Sequence, residues 1–361
     1  MEDEYGDMSS SGETFTFPGT FTLEDGSTLE SPSLCYNTYG TLNESRDNVL
    51  LVTHALTGNS DLASWWGNML GPGKTFDTDK YFIVCANILG SCYGSTSPAS
   101  IDPATSLPYG GSFPDVSVRD TIALQFALLS DLNVSSIKSV IGGSFGGMQV
   151  LEAMFASTRE LSVRSAVPIA CGSSHTAWQI AISEVQRQAI YADPSWNGGD
   201  CLDVRDSKGL NVARQMGMVT YRTARAYDLK FGREKVGEGP AYGKDAKWQV
   251  KSYLEYQGDK FLSRFDPITY VKLTEQMDTH DVGRGRGGIA KALLSLEMPS
   301  LVIGIDSDVL YPLHEQESLF SALGSVEKKF VSVRSEAGHD GFLLEQETVG
   351  KAIDEFLERI E

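Results

Sequence analysis

The sequence predicts an α/β protein: a mainly parallel sheet covered by helices on both faces, interrupted late in the chain by a helical insertion. Three observations carry that expectation. Short apolar runs rich in β-branched residues alternate with amphipathic stretches, one long segment breaks the alternation, and a glycine-framed serine stands between a strand and a helix. The 361 residues suit one large α/β domain with a sizeable insertion.

The elements follow in order. Residues 1–12, MEDEYGDMSSSG, read as a disordered acidic tail, because they lack the basic and apolar regions of a secretory signal and the Arg-rich pattern of a transit peptide. FTFPG, FTLEDGSTL and SLCYNTYG carry strand residues around a turn at Asp25-Gly26 and predict an antiparallel edge leading into the sheet. NVLLVTH (48–54), YFIVCAN (81–87), IKSVIGG (137–143), VRSAVPIA (163–170), LVIGI (301–305) and KFVSV (329–333) are each expected to be a buried strand. Between them, VSVRDTIALQFALLSDL (116–132), MQVLEAMFAS (148–157), LHEQESLFSAL (313–323) and the terminal AIDEFLERI space apolar residues as helices do. From His175 to Lys291 the pattern changes to amphipathic segments such as AWQIAISEVQRQAIY and VTYRTARAYDL with no buried strand. The chain therefore divides into a core of 13–174 and 292–361 and a helical cap of 175–291, a lid over the carboxyl ends of the strands, where ligands bind in open α/β sheets.

Composition narrows the function classes. Thirty Lys and Arg against 48 Asp and Glu give a net charge of -18, which repels nucleic acid and anionic membrane. An anionic substrate needs a locally positive pocket. No apolar stretch reaches the roughly 20 residues that cross a bilayer. Five cysteines (35, 85, 92, 171 and 201) are odd in number, far apart and without ligand spacing, so neither a disulfide framework nor a metal site is expected, and a reducing, cytoplasmic setting fits.

The chemistry concentrates at GGSFGG (142–147), a GxSxG pattern directly after the strand IKSVIG and before the helix MQVLEAMF. A nucleophile elbow needs small residues there, because the turn is strained and neighbouring backbone comes close. This points to the α/β-hydrolase fold with Ser144 as nucleophile. A phosphate-binding turn is the alternative, and the missing GKS or GKT speaks against a P-loop. A serine hydroxyl needs a base and a residue to orient that base. In this fold the order is Ser, acid, His, which selects His339, in EAGHDGF after the last strand, over His54, His175, His280 and His314. The acid belongs on the loop after LVIGI, where spacing leaves both Asp306 and Asp308 open. HALTG (54–58) places a turn after a central strand, where the N–H of Leu56 or Thr57 completes an oxyanion hole with that of Phe145, and His54 takes a supporting role.

At this point the sequence resembles the homoserine O-acetyltransferase family. The resemblance runs over nearly the whole chain after the tail, through HALTG (54–58), GPGKTFDTDKYFIVCANILGSCYGSTSP (71–98), PYGGSFPDVSVRD (108–120), GGSFGGMQVLEA (142–153), SHTAWQIA (174–181), YQGDKFLSRFD (256–266), DSDVLYPL (306–313) and GHDGF (338–342). It implies Asp308 as the acid and a ping-pong reaction. Acetyl-CoA acylates Ser144, and the γ-hydroxyl of L-homoserine takes the acetyl group, with no bound cofactor. It also implies that Arg214, Tyr221 and Asp340 hold the acceptor's amino-acid head, a guanidinium pairing with the α-carboxylate and a carboxylate with the α-ammonium. Relatives are commonly homodimers, and the same is expected here. Close relatives with a succinyl donor or an L-serine acceptor share this machinery, and an acetyl esterase is the alternative from another class.

Three further signals carry less. GRGRGG (283–288) satisfies GxGxxG but follows no buried strand, so a dinucleotide site is not expected; its arginines either face the phosphates of CoA or cover a lid hinge. Cys92 reads as packing near the site. SWWG (64–67) is expected to add bulk near the acyl pocket.

Overall fold

The computed structural model describes residues 11–199, 206–240, 242–243 and 245–360. Residues 1–10 of the expected tail and Cys201 lie outside them. The described strands are β1 (Glu13–Thr16), β2 (Thr20–Thr22), β3 (Thr28–Glu30), β4 (Ser33–Tyr39), β5 (Val49–Thr53), β6 (Phe82–Ala86), β7 (Ser136–Gly143), β8 (Ser162–Val163), β9 (Ala166–Ile169), β10 (Ser300–Ile305) and β11 (Lys328–Val333). The helices are α1 (Leu62–Trp66), α2 (Val118–Asp131), α3 (Phe145–Ala156), α4 (Ala177–Tyr191), α5 (Lys208–Tyr221), α6 (Ala224–Phe231), α7 (Gln249–Leu262), α8 (Pro267–Asp278), α9 (Ile289–Leu294), α10 (Leu313–Ala322), α11 (Gly341–Leu344) and α12 (Gln346–Leu357).

The main sheet runs β1-β4-β6-β5-β7-β9-β10-β11, with β8 beside β7. From β6 to β11 neighbouring strands are parallel, while β1–β4 and β4–β6 are antiparallel. Two details differ from expectation. β2 and β3 form their own hairpin off the main sheet, because the Leu23 N–H bonds to Ser27 O at 2.8 Å and Asp25 accepts from the Ser27 N–H and hydroxyl. VRSAVPIA divides into β8 and β9, each pairing separately with β7.

Alternation along the buried strands builds two apolar layers. Val49 and Leu51 of β5 join one cluster with Leu124 and Leu128 of α2, Val150 and Leu151 of α3, Leu293 of α9 and Leu319 of α10. Leu50 and Val52 join the other with Trp65 and Trp66 of α1 and Val349, Ile353 and Phe356 of α12. The 349, 353 and 356 spacing puts one face of α12 on the sheet. α2 starts where a capping box forms: Ser117 Oγ accepts the Asp120 N–H at 3.2 Å, and Asp120 accepts the Ser117 N–H at 2.8 Å.

Helices α4–α8 lie between β9 and β10. Their neck is the pairing of Ser174 with Asp281, reinforced by the His175 N–H on His280 O at 2.8 Å. Within the expected cap of 175–291, Val282 already packs in the core cluster, directly after this neck. The amphipathic segment VTYRTARAYDL spans two helices. α5 ends at Tyr221, Arg222 is extended, and Thr223 caps α6 by accepting the Ala226 N–H.

A third cluster joins cap to core. It contains Leu210, Ala213, Phe261, Phe265 and Tyr270 from the cap, and Leu56, Ile88, Tyr93, Phe145, Met148 and Tyr311 from the core.

Candidate active site

The turn from β7 into α3 fixes Ser144 at φ 59, ψ -123, a conformation unfavourable for a residue with a Cβ. Neighbours hold it there. The Ser144 N–H bonds to Ile169 O at 2.9 Å, and its carbonyl accepts the Met148 N–H at 3.2 Å. The flanking glycines answer to contact: a Cβ on Gly142 would strike the Thr53 hydroxyl, and one on Gly146 the Thr53 carbonyl. Ser144 thus stands at the N-terminus of α3, where Phe145 is the first helical residue and free N–H groups and the helix dipole favour negative charge.

His339 comes after β11 on the short 3-10 turn Gly338–Asp340. Its Nε2 lies 2.8 Å from Ser144 Oγ, and its Nδ1 lies 2.7 Å from Asp308 Oδ2. The other Asp308 oxygen accepts the Leu310 and Tyr311 N–H groups, each at 2.8 Å. An acceptor-only carboxylate facing Nδ1 selects the tautomer protonated there and leaves Nε2 to accept from serine. Burial disfavours the imidazolium, but the charge and hydrogen bond of Asp308 and the charge of Asp340 prevail and hold His339 above its ordinary value. Asp306, which spacing left level with Asp308, is exposed and accepts the Ser335 N–H at 3.0 Å.

Leu56 and Thr57 line a cavity with Ser144, His339, Asp340, Tyr221, His175, Tyr311 and residues of α4. The loop carrying them is tied down by His54, whose Nδ1 donates to Ala55 O at 2.8 Å while Nε2 accepts the Ile88 N–H at 3.1 Å. Both ring nitrogens are engaged as in a neutral imidazole, and burial lowers the pKa to about 4. His54 is thus a neutral pin beneath the loop. Gln149 adds bonds to the carbonyls of His54 and Phe145 at 3.2 and 3.3 Å, linking the loop to α3.

Tyr221 ends α5 with its ring 6.1 Å from that of His339. Asp340, buried next to the histidine, pairs at 2.8 Å with Arg222 Nε, a cation that sequence reasoning missed. The signal was a basic residue directly after Tyr221 in a strongly acidic chain; amphipathic spacing alone does not show that the backbone extends there. Arg214 is buried, with its guanidinium 5.0 Å from the centre of the Phe261 ring and 6.0 Å from that of Tyr221.

Other expectations change. Arg284 pairs with Glu24 at 2.7 Å and Arg286 with Glu152 at 2.6 Å, so the GRGRGG arginines tie the returning chain to the core and are already matched by carboxylates. Trp66 is buried against Phe76 and donates to Phe342 O at 3.2 Å. SWWG therefore packs behind the His339 loop, outside the cavity wall. Burial pushes the Cys92 thiol far up, and its Sγ contacts Arg264 O at 3.9 Å. Among the described residues no three His, Cys, Asp or Glu side chains gather as a metal site.

The chain is similar to known proteins in both sequence and fold. The family model for the alpha/beta hydrolase fold matches residues 48–346. A homoserine O-acetyltransferase from Salinibacter ruber is 47% identical over 344 residues, 94% of this chain and 96% of that protein. One from Chloroherpeton thalassium is 44% identical over 347 residues, covering 95% and 88%. Among solved structures, homoserine O-acetyltransferase from Staphylococcus aureus is 27% identical with a TM-score of 0.77, covering 97% of this chain and 96% of that one. Esterase E22 is 25% identical with a TM-score of 0.86, covering 96% and 99%.

Proposed function

Because the chain belongs to the homoserine O-acetyltransferase family of the α/β-hydrolase fold, we propose that it moves an acetyl group from acetyl-CoA to the γ-hydroxyl of L-homoserine through an acyl-enzyme on Ser144. The observation that carries the mechanism is the hydrogen-bonded line from Asp308 through His339 to Ser144. Family membership supplies the substrates.

In the first half-reaction Ser144 Oγ attacks the thioester carbonyl while His339 Nε2 takes its proton. The oxyanion is held by the Phe145 N–H and that of Leu56 or Thr57, and collapse expels the thiolate, which recovers the proton from Nε2. In the second, His339 deprotonates the homoserine hydroxyl as it attacks the acyl carbonyl, and the proton returns to Ser144. Asp308 keeps Nδ1 protonated and steadies the imidazolium in both. The α-carboxylate is assigned to Arg214, and the α-ammonium to Asp340, which Arg222 orients, with Tyr221 closing the site. Cap helices over the cavity exclude the water that would otherwise hydrolyse the acyl-enzyme.

The test is CoA-thiol release from acetyl-CoA and succinyl-CoA with L-homoserine, L-serine or no acceptor. Ser144-dependent release requiring homoserine is expected. Release independent of any acceptor would favour acetyl-ester hydrolysis, the reading that the likeness to esterase E22 supports. We assign the enzyme to methionine biosynthesis in the cytoplasm as a homodimer; no helix among the described residues is long and apolar enough to cross a membrane. Sedimentation at micromolar concentration tests the dimer, and a monomer alone would overturn it.

A further inference from the structure

The cap carries a cation that acts on the loop facing the nucleophile. Arg264 lies between α7 and α8, and one guanidinium nitrogen bonds to the Thr57 carbonyl at 3.0 Å and to the Tyr93 hydroxyl at 2.7 Å. Its guanidinium centre is 4.9 Å from the centre of the Phe261 ring. The same buried ring carries Arg214 at 5.0 Å. One phenyl ring therefore supports both the arginine assigned to the acceptor carboxylate and the arginine bound to the loop.

The loop needs such a hold. Its turn is closed by the Gly58 N–H on Ala55 O at 2.9 Å, and His54 pins its beginning. The Thr57 carbonyl belongs to the same planar peptide unit as that Gly58 N–H, so the guanidinium holds the closing peptide from its opposite edge; rotation of this peptide would re-aim the N–H groups assigned to the developing oxyanion. A charge-assisted bond from a guanidinium is stronger and more directional than one from a neutral donor. Stacking on Phe261 and the bond to Tyr93 fix the guanidinium in turn.

We infer that Arg264 is a positioning residue for acyl transfer: a cap-borne guanidinium that latches the oxyanion loop through the Thr57 carbonyl. Seating the cap and assembling the oxyanion hole are then one event, and Ser144 acylates efficiently only under a closed cap. This rests on the Ser144 acyl-enzyme proposed above, and the test separates the two.

The full chain is assayed with an aryl acetate as donor and L-homoserine as acceptor to clear the acyl group from Ser144, which reports acyl transfer through Ser144 whatever the natural donor, with Ser144→Ala as the blank. Loss of wild-type turnover to the level of that blank would remove the acyl-enzyme reading itself. With wild type active, Arg264→Met is expected to lower kcat by about 10–100-fold while KM stays within about threefold. The acid limb set by His339 and the melting temperature should not move, and Arg264→Lys should recover part of the rate. Unchanged kcat, a rise in KM alone, or a rate loss tracking a lower melting temperature would each overturn the assignment. If Arg264→Met fails to fold, Tyr93→Phe takes its place, with kcat down about 3–10-fold at constant KM; a wild-type rate there refutes the latch.

Discussion

Replacing Asp308 with asparagine changes a single atom and should abolish the base. Asp308 uses one oxygen to accept the Leu310 and Tyr311 N–H groups at 2.8 Å and the other to face His339 Nδ1 at 2.7 Å. An asparagine must keep its carbonyl on the two backbone donors, since turning its amide toward them would oppose donor to donor. Its NH₂ then faces Nδ1, which becomes an acceptor, and the ring proton moves to Nε2, 2.8 Å from Ser144 Oγ. The histidine now donates to the serine it should deprotonate. A tautomer error of this kind costs about 10⁴-fold in kcat, close to 5.4 kcal/mol at 1.36 kcal/mol per decade. The backbone bonds survive, so the melting temperature should hardly change. Acylation by an aryl acetate, followed by stopped flow, gives the rate directly. Asp306→Asn is the control, because that exposed carboxylate accepts the Ser335 N–H and makes no hydrogen bond to His339, and its rate should stay within about threefold. Asp308→Asn retaining more than about a tenth of the wild-type rate would refute the tautomer argument.

Other consequences are open to measurement. Neutral His339 is the active form and its pKa is raised, so kcat/KM should fall with acid along a limb lying above the ordinary histidine value; Asp340→Asn should move that limb to lower pH and raise the acceptor KM. A limb at or below the ordinary value would contradict the electrostatics. His54 and His280 are buried with pKa values near 4, so each withdraws stability as pH falls from 6.5 to about 4, on the order of 3 kcal/mol apiece, readable as a falling urea midpoint. His339 acts with the opposite sign, its contribution being full below the unfolded value and lost as pH rises through the folded one. Gly146→Ala presses a methyl group onto the Thr53 carbonyl and should lower stability by about 1–3 kcal/mol, whereas unchanged denaturation would show that the elbow has slack.

The sequence by itself determined what local chemistry and periodicity encode. The β-branched runs pointed to strands, of which KFVSV alone came out as a half-exposed strand, β11; the small residues around Ser144 pointed to a tight strand-to-helix turn, and chain order selected His339. The family motifs carried the substrate assignment. What required tertiary structure was every choice that depends on direction in space. Asp306 and Asp308 are chemically the same and two residues apart; only the loop's course turns one to solvent and the other to His339 Nδ1. Arg222 was hidden because the break between α5 and α6 aims it at Asp340, and helical periodicity gave no sign of that break. The tryptophans of SWWG and the arginines of GRGRGG had plausible ligands on paper, yet folding supplied nearer partners, Phe342 and Phe76 for one and Glu24 and Glu152 for the other. Arg264 meets Thr57 across more than half the chain, a contact that no pattern along the backbone can announce, because the cap must first fold back over the sheet.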